Sequence, residues 1–359
     1  MKKIEEVVTM KTMKKCLSFL LIAVMVFALA ACSGEAEKQG ELNIYMWSEY
    51  LSDSVVQGFE DEYNIKVNIA YMNSSEEATA KITSGGGDQY DLVMPCDADM
   101  GSLINGGKLA EINLDNIPNF ANLGDAYKYR EFDPENKYAI PYLMNYVYVI
   151  YNTETCPIEI TKYEDLLSPE LKGEIASITG IRNLFPIALV ALGYDPNSTV
   201  ESEIEQAYQW LQKYMENVKY INSDDTEQGI VSGACSVAFV FDGQAGRAFA
   251  EVTNLKVADL SDAIQLGVDE FVIPANAKNK ENAELFLNWI LDAEVMAENL
   301  VDNPYTCPNV KAIDLMDDSY KLNPAINIPQ HMKENYFLQL SIGDAATIYD
   351  KYWTMLLSE

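Results

Sequence analysis

The chain has 359 residues, with 55 Asp+Glu against 25 Lys+Arg, one His and a formal net charge of −30. That length suggests two or three domains, and 48% hydrophobic with 22% charged residues excludes disorder over most of the chain. So negative a balance argues against nucleic acid as a partner, and the lone His331 excludes a His-based triad or a multi-His metal site.

Lys11, Lys14 and Lys15 precede an apolar run over 16–31 that is short for a membrane span, which needs about 20 residues. A basic start, an apolar middle and small residues at the end describe a secretory signal over 1–31. The ending Leu29-Ala30-Ala31-Cys32 resembles a bacterial lipobox, in which Cys32 is lipidated and becomes the new N-terminus. An ordinary cleavage site followed by a chance Cys is the alternative. Glu5 and Glu6 sit poorly in such a leader, so Met10 and Met13 stand as alternative starts. Residues 32–40 are small and polar, a flexible tether. Residues 1–31 hold five Lys and two Glu, so the exported part carries −33. Lipid at Cys32 would be its anchor to the cell membrane, facing the periplasm or the outer cell surface.

In the exported part, residues 42–47 form a short apolar strand. Ser52 and Asp53 then offer caps to a helix carrying Val55, Val56, Phe59 and Tyr63. A strand over 66–71 follows, then a helix opened by a Ser74/Glu77 capping box, a strand over 90–94 and a helix carrying Met100, Leu103 and Ile104. This alternation predicts an α/β fold with a mainly parallel sheet. In such sheets ligands sit beyond the carboxyl ends of strands. That makes Trp47-Ser48-Glu49-Tyr50 and Pro95-Cys96-Asp97-Ala98-Asp99 site candidates. A second α/β pattern begins with the β-forming run 146–151. Helices near 183–192 and 201–216, strands over 237–241 and 269–274 and a helix over 280–300 follow. No linker separates the halves, which suits two lobes sharing crossover strands. Beyond Cys16 and Cys32, Cys96, Cys156, Cys235 and Cys307 are widely spaced. An exported compartment permits a disulfide among them, and buried free thiols are the alternative. Gly85-Gly86-Gly87 lacks the ending of a P-loop, and Asp97-x-Asp99-x-Gly101 lacks the final Glu of a calcium loop.

Several segments resemble bacterial spermidine/putrescine-binding proteins of the ABC-transporter type. They are Trp47-Ser48-Glu49-Tyr50, Tyr90-Asp91-Leu92-Val93, Phe132-Asp133-Pro134, Ala139-Ile140-Pro141-Tyr142, Leu192-Gly193-Tyr194 and Asn222-Ser223-Asp224. Then come the run from Ile273 to Lys280, Tyr305 with Pro308-Asn309, and Ile348-Tyr349-Asp350-Lys351-Tyr352. They occur in family order across nearly the whole exported chain. The resemblance implies a type II periplasmic-binding-protein fold, two α/β lobes joined by crossover strands and closing on a ligand. The expected lobes are 41–145 plus 269–309 and 146–268 plus 310–359. By the family motifs, Trp47, Ser48, Glu49 and Tyr50 would line the cleft and Asp269 would hold a ligand amine. Ser223, Phe241, Tyr305 and Gln339 would complete the site, with Cys96 and Asp97 beside them.

The chemistry is coherent on its own terms. A polyamine is a string of ammonium groups on methylenes, needing carboxylates at its nitrogens and apolar or aromatic walls along its carbons. The sequence departs from the family where acids are expected, at Gly180 and Asn183. It departs again where aromatics are expected, at Ala98 and near Gly267. Asp97, Asp99 and Asp242 are candidates to compensate. The expected function is therefore capture of spermidine or putrescine by a monomeric, lipid-anchored receptor. It would feed an ABC permease and its ATPase, with no cofactor and no catalysis. Alternatives are another small organic cation, ferric iron held by Tyr and Asp oxygens, or a surface enzyme, for which no nucleophile–base pair is visible.

Overall fold

A computed structural model describes residues 40–72, 75–95 and 97–358. The signal segment, Cys32, Ser74 and Cys96 lie outside the described residues. Ten strands make one curled sheet among them: β1 Gly40–Met46, β2 Ile65–Tyr71, β3 Leu92–Val93, β4 Ala139–Asn152, β5 Ile175–Ser177, β6 Val218–Ile221, β7 Val237–Phe241, β8 Leu255–Val257, β9 Ile264–Val272 and β10 Tyr336–Phe337. Their order is β2-β1-β3-β9-β4-β7-β5-β6, with β10 beside β9 and β8 beside β4. β1 runs parallel to β2 and β3, and β5 parallel to β6 and β7. β9 and β4 are antiparallel to each other, and each is antiparallel to the parallel group it joins.

Two hydrophobic cores lie along this sheet. The first gathers side chains from 42–143 and 271–320, among them Phe59, Tyr142, Phe271 and Phe286. The second gathers 144–268 and 325–356, among them Tyr148, Phe185, Phe239 and Tyr349. β4 spans 14 residues because it serves both. Its side chains pass from the first core to the second between Leu143 and Met144, and those of β9 pass between Phe271 and Val268. A strand covered on both faces is apolar throughout, and all of β4 but Asn152 is buried.

Most expected elements are present, with four informative differences. β9 begins at Ile264, five residues before the expected start, because Gln265 and Gly267 disguise a paired strand as a loop. The expected helix over 280–300 is two helices, Lys280–Ile290 and Ala293–Asp302. Asp292 breaks the run by accepting from the N–H groups of Glu294 and Val295. A helix at Asp242–Glu251, unforeseen, contains Gly243 and Gly246, which argue against a helix by propensity. Packing overrides propensity there, since a Cβ at Gly243 would lie 2.5 Å from Cζ of Tyr305. Ser52 occupies the N-cap of the helix Asp53–Tyr63 without a side-chain cap; its N–H donates to Asn299 Oδ1 at 2.9 Å. Cys156, Cys235 and Cys307 are free thiols.

Two buried acids tie segments distant in sequence. Asp91 accepts from Asn43 N at 2.9 Å, Asn43 Nδ2 at 3.1 Å, Asn279 N at 2.8 Å and Asn279 Nδ2 at 3.1 Å, joining the edge of β3 to β1 and to the turn before Lys280. Asp242 accepts from Thr306 Oγ1 at 2.6 Å, Thr306 N at 3.1 Å and Gly243 N at 3.0 Å. Burial raises Asp242 from 3.8 to about 7, against the pull of these bonds.

Asp91→Ala orphans four donors, so it should cost roughly 1–3 kcal/mol, read as a lower urea midpoint at unchanged slope. Because the folded pKa of Asp242 lies above its unfolded value, the folded state holds the extra proton between those values. Its contribution is complete below about pH 4 and is lost as pH rises towards 7. Asp242→Asn should flatten the fall in stability across that window, measured by denaturation at pH 4, 5.5 and 7.

Candidate functional site

β1 ends at Met46, and the chain turns at once through Trp47-Ser48-Glu49-Tyr50. Glu49 takes a left-handed backbone, φ 57°. Non-glycine residues occupy that region at some cost, typically where the fold needs a side chain re-aimed. Here the turn sends Trp47 and Tyr50 to one carboxylate and swings Glu49 away. Trp47 Nε1 donates to Asp269 Oδ1 at 3.2 Å and Tyr50 OH to Asp269 Oδ2 at 2.8 Å. Asn145 Nδ2 donates to Oδ2 at 2.7 Å. Asp269 sits on β9 opposite Leu143 of β4, where the two strands pass from one core to the other. Its pKa is raised by desolvation, while Tyr50, Asn145 and Trp47 pull it back down. A carboxylate offers about four lone-pair sites, and three are taken, which leaves room for one further donor. Tyr305, buried, stands 4.7 Å from the Tyr50 ring and walls the same space.

Glu49 accepts from Arg247 Nη2 at 2.8 Å, and Glu227 accepts from Arg247 Nε at 2.7 Å. Arg247 belongs to the helix Asp242–Glu251, packed on the second core, so its pair with Glu49 reaches from one core's elements to the other's. Burial pulls the Arg247 guanidinium down, but Glu227, then Tyr305 and Glu49, more than restore it. Phe241, the last residue of β7, packs against both cores. On the other side of Asp269, Arg130 Nη2 donates to Asp97 at 2.6 Å, and its Nε lies 3.7 Å from Glu270 Oε1. Glu270 is 1% exposed, and neither carboxylate oxygen has a hydrogen-bond partner. Desolvation, then Asp97, pushes its pKa well up. Asp97 itself is raised to about 6 by burial against the opposing pull of Arg130.

Not every expected residue converges on Asp269. Ser223 accepts from Thr179 N at 2.9 Å, and Gln339 Nε2 donates to the Arg182 carbonyl at 2.9 Å; both lie among elements of the second core. Ser48 is half-buried in the turn, and Cys96 lies outside the described residues. None of the three acids expected to compensate for Gly180 and Asn183 is uncommitted. Asp97 holds Arg130, Asp99 accepts from Thr79 Oγ1 at 2.8 Å, and Asp242 holds Thr306. Among the described residues, no group of three His, Cys, Asp or Glu side chains converges to hold a metal ion.

Sequence reasoning missed Arg130, Arg247, Asn145 and Glu270. A signal existed for the first two. The chain has only three arginines, Arg130, Arg182 and Arg247, and all three flank expected site residues. Arg is the residue suited to pairing with buried carboxylates, so its scarcity concentrates its meaning.

Residues 54–328 match the model of the bacterial extracellular solute-binding protein family. A spermidine/putrescine-binding periplasmic protein of Salmonella typhimurium is 31% identical over 337 residues, covering 94% of this chain and 97% of its own. A putrescine-binding periplasmic protein of Escherichia coli is 28% identical, covering 96% and 98%. Among solved structures, a Listeria monocytogenes protein assigned to a spermidine/putrescine ABC transporter superposes with TM-score 0.82 at 29% identity, covering 88% of this chain and 98% of that one. A lipoprotein of Treponema pallidum superposes with TM-score 0.75 at 25% identity, covering 88% and 99%. The chain therefore has the α/β fold of the periplasmic binding proteins and belongs to the bacterial extracellular solute-binding protein family, a family of transport proteins and not of enzymes.

Proposed function

We propose that this chain captures a polyamine-class amine between two lobes and delivers it to an ABC importer. The observation that carries the reading is Asp269: a half-buried carboxylate aimed by Trp47, Tyr50 and Asn145, walled by aromatic rings, with one acceptor position left. An ammonium fits that position, and the faces of Trp47, Tyr305 and Phe241 suit its methylenes. The names of the Salmonella and Escherichia relatives point the same way. Delivery would engage a permease and its ATPase, with the receptor acting as a monomer. A different small organic cation is the second reading, favoured by Gly180 and Asn183 in place of the family's acids.

The lobes would follow the two cores, 41–143 with 271–320 and 144–268 with 325–356. Ala312, Met316 and Tyr320 pack in the first core, which supports ending its last segment near 320 and not at 309. A ligand touching both lobes favours the closed arrangement by that differential contact. Glu49 and Arg247 are placed to join it from opposite sides. Export followed by lipid attachment at Cys32 completes the reading. It is supported by the Leu29-Ala30-Ala31-Cys32 ending and by the Treponema lipoprotein's similarity, and no described helix is long and apolar enough to cross a membrane.

Two measurements test these points. Asp269→Asn keeps the shape and removes the charge. By calorimetry of the full-length chain in mild detergent, it should weaken the best-bound amine well over tenfold, since losing one side of a buried charged pair costs about 2–5 kcal/mol. Unchanged affinity in a folded variant would remove Asp269 from the site. Cys32→Ala should release the protein from the membrane fraction and abolish labelling by radioactive fatty acid. A mutant that stays membrane-bound, with a wild type that never takes the label, defeats the anchor.

A further inference from the structure

Gln265, Gly267 and Asp269 alternate along β9 and so share one face of the strand. Their Cα positions span about 13 Å at roughly 3.3 Å per residue. One end of that row is acidic. Asp269 has Asp97 and Glu270 near it, with Arg130 as the cation paired with the last two. The middle is neutral: a Cβ at Gly267 would fall 2.6 Å from Asn145 Oδ1, so the Asn145 amide occupies the place of a side chain there.

The far end is neutral too. Gln265, 3% exposed, donates through Nε2 to Asn183 Oδ1 at 3.4 Å, while its Oε1 is buried with no partner. Asn183 Nδ2 is spent on the Thr179 carbonyl at 2.8 Å, and Ser223 Oγ is held by Thr179 N. No carboxylate is bonded to Gln265, Asn183 or Ser223 among the described residues. The acids that follow Ser223 in sequence are engaged elsewhere: Asp224 is exposed, Asp225 accepts from Tyr220 OH at 2.6 Å and from Asn222, and the buried Glu227 is paired through Oε1 with Arg247 Nε at 2.7 Å.

A second ammonium buried beside Gln265 Oε1 would have amide and hydroxyl groups as its bonded neighbours, and a buried charge without a countercharge is strongly disfavoured. A neutral N–H carries no such cost and supplies the donor that Gln265 Oε1 lacks. We infer that the cleft selects an amine charged at one end and neutral at the other, a monoacylated diamine, with its ammonium at Asp269 and its amide N–H on Gln265 Oε1. This rests on the amine-binding reading above and narrows it from polyamines in general to a half-capped class.

The test is calorimetric titration of the full-length chain with matched pairs, putrescine against N-acetylputrescine and cadaverine against N-acetylcadaverine, with spermidine alongside. The inference expects at least one acetylated diamine to bind about tenfold or more tighter than its parent and than spermidine. Gln265→Glu puts a carboxylate where the lone acceptor stands and should invert that preference. Asn183→Asp does the same from the neighbouring position and serves if the first variant fails to fold. A wild type preferring the parent diamines or spermidine overturns the inference, as does an unchanged preference ratio in a folded Gln265→Glu or Asn183→Asp protein. Asp269→Asn separates the two levels. If diamines win and Asp269→Asn abolishes their binding, only the half-capped class falls. If none of the five amines binds, or if Asp269→Asn binds them all normally, the amine-binding reading falls with it.

Discussion

The carboxylate of Asp269 sits where two long strands leave one hydrophobic core for the other, and the architecture converges on it. A charge at that position is costly unless its oxygens are met, and here three donors from two separate segments meet them. Trp47 and Tyr50 come from the turn after β1, and Asn145 comes from β4. The apolar stretches on either side, Ile264–Val268 and Phe271–Ile273, are committed to different cores, so the polar interval between them cannot slide. A one-residue slip would exchange Asp269 with Glu270 and reverse every buried side chain of β9. Register, core formation and site geometry are thus one constraint.

Arginine distribution follows from the same economy of charge. With 55 acids and three arginines, this chain uses guanidinium sparingly. Arg130 joins Asp97 to Glu270 beside Asp269, and Arg247 joins Glu49 to Glu227. Each planar fork can serve two carboxylates, which a lysine ammonium does less well. The effect is to place a guanidinium against the acids that flank Asp269 and Glu49, although Glu227 Oε2 still has no hydrogen-bond partner. Glu270, with no hydrogen-bond partner for either oxygen, stands apart from that pattern.

How much of this was legible beforehand depended on how local the cause was. The alternating strands and helices of the first half follow from hydrophobic period and caps, and β1, β2 and the helix Asp53–Tyr63 lie within two residues of where those patterns put them. The ordered family motifs carried the fold class and pointed to Trp47, Tyr50, Tyr305 and Asp269, which the structure brings together. What local pattern could not supply was anything set by a partner far along the chain. β9 looked shorter because Gln265 and Gly267 are poor strand formers; they are held in place by Asn145, Asn183 and the β4 ladder. The helix Asp242–Glu251 looked unfavourable because of its glycines, which exist to admit Tyr305 and Pro304.

The sequence by itself determined the acidic character, the alternating α/β pattern and the carboxylate and aromatic residue types gathered around Asp269. These are properties of composition and short-range periodicity, and they need no knowledge of who touches whom. Only the tertiary structure decided that Asp97 and Asp242 are committed to Arg130 and Thr306, that Asp269 keeps an acceptor open, and that Gln265 buries one without a partner. The reason is physical. Whether a polar group is available to a ligand depends on which donors and acceptors burial has already assigned to it, and those come from distant segments, as Trp47 and Asp269 lie 222 residues apart.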